Sequence, residues 1–176
     1  KANVYEALRM TSFFGGELVF FHVGEKTTEK VSRFMDLVNS SPVQPKKVTI
    51  HWERGDPVTT LLKASEELNV DLILLGALKR ENVLKFYMGS IARKITRKAK
   101  CSVLLLINPS VERHPCQHIV VNGFESPQTK ATIEVAFNVA NALGAKKISL
   151  VEEISRSKVA VSVDDDRSLR RATLKK

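Results

Sequence analysis

Two segments carry the residue types that could bind an anion. The run DLILLG ends at Gly76, and Gly89-Ser90 opens the run SIARKITRKA, residues 90–99. Glycine lets backbone N–H groups approach an anion closely, the free N–H groups at a helix start donate to it, and a serine hydroxyl adds one more bond. Between Lys79 and Lys100 stand eight basic residues against the single acid Glu81, so this stretch holds +7 of the chain's +9. The chemistry on offer is phosphate binding, in the form of nucleotide, nucleic acid or an anionic membrane face. The plain alternative is a turn followed by a solvated helix face. Nucleic-acid binding through the basic helix is the weakest of these readings. Phe86, Tyr87 and Met88 read as a hydrophobic loop, and the basic residues do not interleave with further aromatics that could stack bases.

Little else in the 176 residues suggests chemistry. No serine, histidine and acid constellation and no pair of carboxylates can be read, so the chain is not expected to be an enzyme. Cys101 and Cys116 lack CxxC spacing, and His22, His51, His114 and His118 form no HxxxH or similar pair, so no metal is expected. His22 reads as a core or strand-end residue and Trp52 as cover for a sheet edge. No apolar run approaches the ~20 residues that span a bilayer, and KANVYEALRM lacks the basic-then-apolar order of a signal peptide. The expectation is a cytoplasmic protein without membrane insertion.

The elements that must position the glycines follow from periodicity. Val4, Ala7, Leu8, Thr11 and Phe14 recur at helical spacing over residues 2–14, and Gly15-Gly16 stops the helix. ELVFFHV (17–23) has the unbroken apolar character of a strand covered on both faces. A polar helix over 28–39 precedes a second strand at 47–53. Asp56-Pro57 then starts a helix, with Asp as cap and Pro in the first turn, whose face is Val58, Leu61, Leu62, Ser65 and Leu68. Strands at 71–77 and 102–107 enclose the helix of residues 90–99, on which Arg93, Lys94, Arg97 and Lys98 lie opposite Ile91 and Ile95. Strands alternating with helices imply crossovers, hence a parallel sheet covered on both faces. The strands at 17–23, 47–53, 71–76 and 102–107 are expected in one sheet.

After the proline-bearing linker, residues 110–117, the pattern restarts. A strand at 118–124 leads to a helix that begins near Ser126-Pro127, bears Ile133, Ala136, Phe137, Ala140 and Leu143, and ends at Gly144 before a strand at 147–152. FFGGELVFFHV and ALGAKKISLVE match as an internal repeat. The match divides the chain into residues 1–109 and 118–176. It also shows the first unit without the strand that opens the second, and the second cut short after one strand, an acidic turn and a basic helix. The sequence reads as a piece of a longer chain.

With these motifs in place, the chain resembles the universal stress protein family. The resemblance rests on GGELVFFHV, on GDPVTTLLKASEELNVDLILLG and on GALKRENVLKFYMGSIARKITRKAKCSVLLL. The family signature is Gly, two residues, Gly, nine residues, Gly, then Ser or Thr. Gly76, Lys79, Gly89 and Ser90 occupy those positions, Lys79 in place of the middle glycine. The resemblance implies an α/β fold with a doubly wound, Rossmann-like parallel sheet in tandem units, and ATP or AMP across the strand ends. Val23 would offer backbone to adenine, Leu75 and Gly76 would border ribose and phosphates, and Gly89, Ser90 and Ile91 would hold the phosphates. The second unit, with Asn122 or Phe124 where the family has an aspartate, looks unfit for nucleotide. Family likeness further implies a homodimer or intramolecular pseudo-dimer through the 102–107 strand. The expected function is a stress-response regulatory module that binds nucleotide weakly or has lost it. The alternative is the cytoplasmic regulatory domain of a membrane transporter of the cation/proton antiporter type.

Overall fold

The computed structural model describes residues 1–76 and 90–152 and divides the chain into two compact units, Lys1–His114 and Pro115–Lys176. Lys79, Gly89, the loop with Phe86, Tyr87 and Met88, and the strand and helix expected after residue 155 lie outside the described residues.

The first unit runs α1 (Ala2–Phe14), β1 (Leu18–Val23), α2 (Thr28–Asn39), β2 (Val48–Glu53), α3 (Pro57–Glu67), β3 (Leu72–Gly76), α4 (Ser90–Lys98) and β4 (Ser102–Leu106). Helix ends are set locally. Gly15 caps α1 in the left-handed conformation, with its own N–H and that of Gly16 returned to Ser12 and Thr11 carbonyls. The Thr27 hydroxyl accepts from the Lys30 N–H at the start of α2, and the Asp56 carboxylate accepts from the Thr59 N–H at the start of α3, where Pro57 adds a pre-set φ.

Side-chain alternation sorts the helices onto two faces. On one face, Leu18 and Phe20 of β1, Val48 of β2 and Leu74 of β3 pack with Val4, Tyr5, Ala7 and Leu8 of α1 and with Phe34, Leu37 and Val38 of α2. On the other, Ile73 and Leu75 of β3 and Val103 of β4 pack with Val58, Leu61 and Leu62 of α3 and with Ile95 of α4. Leu8 and Ile95 are the most completely buried of these side chains. Two helices per face is the doubly wound arrangement that the alternation of strands and helices implied.

The expectation of one four-stranded sheet is corrected. β1 pairs parallel with β2, Leu18 opposite Val48 through Val23 opposite Glu53, and β3 pairs parallel with β4, Leu72 opposite Ser102 through Gly76 opposite Leu106. Among the described residues no ladder joins the two pairs. Periodicity identified each strand but carries no information on which edges meet.

Two features of this unit have no signature in the sequence. Arg9, almost fully buried, pairs with Glu6 at 2.8 Å and donates to the Val111 carbonyl at 2.8 Å and the Ser110 carbonyl at 2.6 Å. The fork of the guanidinium thereby ties the segment leaving β4 to α1. Trp52, expected at a sheet edge, stands on β2 of the two-stranded β1–β2 ladder and belongs to an aromatic group. It lies opposite His22 with ring centroids 4.6 Å apart and meets Phe34 edge-on at 6.0 Å, while Phe34 also contacts Phe20.

The described part of the second unit is β5 (His118–Asn122), α5 (Thr129–Leu143) and β6 (Lys147–Val151), with β5 and β6 parallel. Gly144 caps α5 in the same left-handed conformation as Gly15, φ 67° against 66°. Phe137, expected on the inner face of α5, is 53% exposed, and Ala140 is the buried residue of that helix.

Candidate functional site

Chain direction decides which residues share an end of the first unit. β1 and β2 are parallel, so Val23 and Glu53 end together, and the Gly24 N–H donates to the Glu53 carbonyl at 2.8 Å. β3 and β4 are also parallel, so α4 must run back between them and begins at Ser90 on the side where Leu75 and Gly76 end β3. Helix α1 links the two pairs. Its Asn3 lies against Gly76, and its other end leads through Gly15 into the start of β1. The carboxyl ends of β1 and β3 and the start of α4 therefore point the same way. Val23, Leu75, Gly76, Ser90 and Ile91 fall at that end.

The electrostatics of this end are uneven. At α3 the Asp56 carboxylate already takes the Thr59 N–H at 2.9 Å and the Thr59 hydroxyl at 2.8 Å. The Thr59 N–H bond is the main reason that the Asp56 carboxyl titrates below its usual range. The hydroxyl bond and the positive charge of Lys94 on α4 act in the same direction, against a small opposing effect of desolvation. Helix α4 has no acid in its first turn, and α1 has neither a first-turn acid nor a side-chain cap. An anion at this end would meet positive helix termini at α1 and α4, with Lys94 beside them.

Two residues at this end have surroundings that the sequence did not show. A Cβ on Gly76 would meet the side-chain amide of Asn3, the movable end of a side chain in the first turn of α1, so Gly76 adjoins the start of that helix. The phosphate reading of Gly76 had no access to that neighbour. On α4 the buried positions are Ala92 and Ile95, whereas Ile91 is 47% exposed. The inner stripe is displaced from the expected one, and the basic face with it borders an open Ile91. Ser90 is exposed. Sequence reasoning missed Asn3 and the His22, Phe34 and Trp52 group next to Val23. The cross-strand register that unites His22 with Trp52 could not be read before the pairing was known. Among the described residues no group of three His, Cys, Asp or Glu side chains could hold a metal ion, and Cys101 and Cys116 are unpaired thiols.

Comparison with known proteins agrees with this architecture. Residues 41–106 match the model of the universal stress protein family. A universal stress protein of Methanocaldococcus jannaschii is 30% identical over 67 residues, which are 37% of this chain and 39% of that one. A functionally unknown protein of Pseudomonas aeruginosa PAO1 superimposes with a TM-score of 0.67 at 13% identity, over 94% of this chain and 61% of its own. A protein of P. aeruginosa UCBPP-PA14, assigned provisionally to the universal stress proteins, gives 0.66 at 13% identity, over 93% and 62%. The chain thus spans about three fifths of these solved structures and 39% of the archaeal relative. Its fold is the α/β universal stress protein type, and the resemblance to that family holds for the segment that contains β2 to β4. Among the described residues no helix is long and apolar enough to cross a membrane.

Proposed function

We propose that the protein is a non-catalytic, cytoplasmic regulatory module of stress response that binds an adenine nucleotide, ATP or AMP, weakly at the carboxyl ends of β1 and β3. The observation that carries this reading is convergence. Val23, Leu75 and Ser90 come from three separate elements to one end of the unit, where the α1 and α4 termini and Lys94 supply positive potential. The phosphates would lie at the start of α4 near Ser90, with Gly89 and Lys79 taken from the sequence pattern. Assembly would use the edge of β4 that faces away from β3.

The test is calorimetric titration of ATP and AMP into the protein and into Lys79→Gly. A dissociation constant of about 0.1–1 mM for ATP is expected, becoming several-fold tighter in Lys79→Gly because backbone can then approach the phosphates. No binding of either nucleotide at several millimolar by either protein would overturn the proposal. Weaker binding by Lys79→Gly would assign the lysine as a phosphate ligand instead of an obstruction.

A further inference from the structure

We propose that the outward face of α4 is a docking surface for an anionic lipid membrane, with Lys94, Arg97 and Lys98 over the headgroups and Ile91 at the acyl boundary. The starting point is the charge balance of the helices. Helix α1 carries Glu6 with Arg9, α2 carries Glu29 and Asp36 with Lys30 and Arg33, and α5 carries Glu134 with Lys130. Helix α3 sets Lys63 against Glu66 and Glu67. In α4 the bases Arg93, Lys94, Arg97 and Lys98 stand in a helix without an acid. All four are exposed.

Neither packing nor helix electrostatics calls for this composition. Ala92 and Ile95 form the buried side of α4, so the bases add nothing to the core. The macrodipole favours Arg97 and Lys98 in the last turn. It gives no such support to Arg93 and Lys94 nearer the start, and Arg93 with Arg97 and Lys94 with Lys98 are like charges at i and i+4, which destabilise a helix. The acids of the neighbouring α3 are already engaged. Glu66 pairs with Lys100 at 2.7 Å and Glu67 with Lys63 at 3.5 Å, while Asp56, the carboxylate that feels the charge of Lys94, accepts from the Thr59 N–H and hydroxyl. An external polyanion turns this self-repulsion into attraction.

The exposed apolar residue beside the bases selects the occupant. Ile91 is 47% exposed and stands at i relative to Lys94 at i+3 and Lys98 at i+7, so the three share one stripe of the helix. A lipid interface meets both kinds of group, with phosphates for the ammonium heads and an acyl boundary for isoleucine flanked by long basic stems. Nucleic acid fits less well. Helix α4 has no aromatic side chain to stack on a base, and a phosphodiester backbone offers Ile91 no apolar contact. Four bases on one helix reach the size at which basic clusters bind anionic lipid, where each Lys or Arg raises affinity roughly fivefold. Helix α4 lies on the face of the strands opposite α1 and α2, so one side of the first unit would meet the membrane. The inference stands without any nucleotide.

The experiment sediments the full chain with vesicles of phosphatidylcholine, alone or with about 30% phosphatidylserine, at low salt and at several-fold higher salt. The expected result is binding to the anionic vesicles only, weakened at least about tenfold by the added salt. Lys94→Gln with Lys98→Gln should weaken it about twentyfold, and Ile91→Ser about threefold with the salt dependence unchanged. Lys30→Gln with Arg33→Gln removes the same charge from α2, on the opposite face, and should change binding by less than about threefold. No binding to anionic vesicles at low salt overturns the proposal. Equal losses in the two double variants also overturn it, because adsorption would then follow the net charge of +9 and not α4. A short DNA duplex or polyglutamate that strips the protein from the vesicles at equal charge concentration overturns the assigned occupant, since the surface would then prefer that polyanion to lipid.

Discussion

Helices α1 and α5 end alike and are buried very differently. Each stops at a left-handed glycine, closes with the same two backbone bonds and delivers a strand. Yet α1 buries Val4, Tyr5, Ala7, Leu8, Arg9 and Thr11, whereas α5 buries Ala140. The cap is made by a handful of consecutive residues and repeats wherever they repeat. Burial depends on what lies alongside: α1 is covered by α2 and by strands of both ladders, whereas among the described residues α5 has β5 and β6. A repeat in sequence therefore brings repeated local geometry without repeated burial among the described residues.

The largest effect expected from this comparison separates the two helices by packing. Leu8 is 0% exposed and Phe137 53%. Leu8→Ala removes a buried side chain between α1, α2 and β1 and should cost about 2–5 kcal/mol, read by the emission of Trp52, the single tryptophan, during urea unfolding of the first unit. Phe137→Ala should change the amide protection of α5 by less than about 0.5 kcal/mol. A loss of similar size at both positions would break the contrast.

A smaller effect should be shared, because it comes from the cap. Gly15 and Gly144 have φ near +66° and no atom within 4 Å of an added Cβ. Alanine meets no clash at either site, only the cost of the left-handed conformation, roughly 1 kcal/mol. Amide exchange over the last turns of α1 and α5 should report equal losses for Gly15→Ala and Gly144→Ala. Unequal losses would mean that the repeated caps are coupled to the unequal burial.

The same division explains what the sequence disclosed. The starts at Thr28 and Pro57 and the stops at Gly15 and Gly144 depend on neighbours within four residues, and they were legible. Ile91 and Phe137 were placed on inner faces because 3.6-residue periodicity admits adjacent stripes, and the choice belongs to the partner surface. The single sheet failed for a related reason, since periodicity marks each strand but not the edge it pairs with. Arg9 was invisible because its acceptors, Ser110 and Val111, are about a hundred residues away. Gly76 was legible as a position needing a small residue, but its neighbour Asn3, more than seventy residues earlier in the chain, was not. Of the candidate site, Val23, Leu75 and Ser90 were named from the family resemblance, and the parallel ladders with the crossover helix α4 put them at one end of the unit. The geometry around His22, Phe34 and Trp52 required the register.

The smallest effect sharpens the comparison by means of pH, for α3 is capped by an ionisable side chain and α1 is not. Asp56 is fully exposed, and its carboxylate is held below the usual aspartate range chiefly by the Thr59 N–H. A carboxyl whose folded pKa is depressed contributes stability that is complete above its unfolded pKa, near 4, and is lost as pH falls through the lower folded value. Amide protection in the first turn of α3 should accordingly hold steady from neutral pH to about 5 and then fall as acid protonates Asp56. The first turn of α1, which has no carboxylate cap, should lack this step, provided that exchange rates are corrected for their intrinsic pH dependence. Asp56→Asn keeps an acceptor for the Thr59 N–H without the charge, and it should abolish the acid step while leaving the helix start in place. An unchanged acid step in Asp56→Asn would transfer the effect to another carboxylate and leave the two helix starts electrostatically alike.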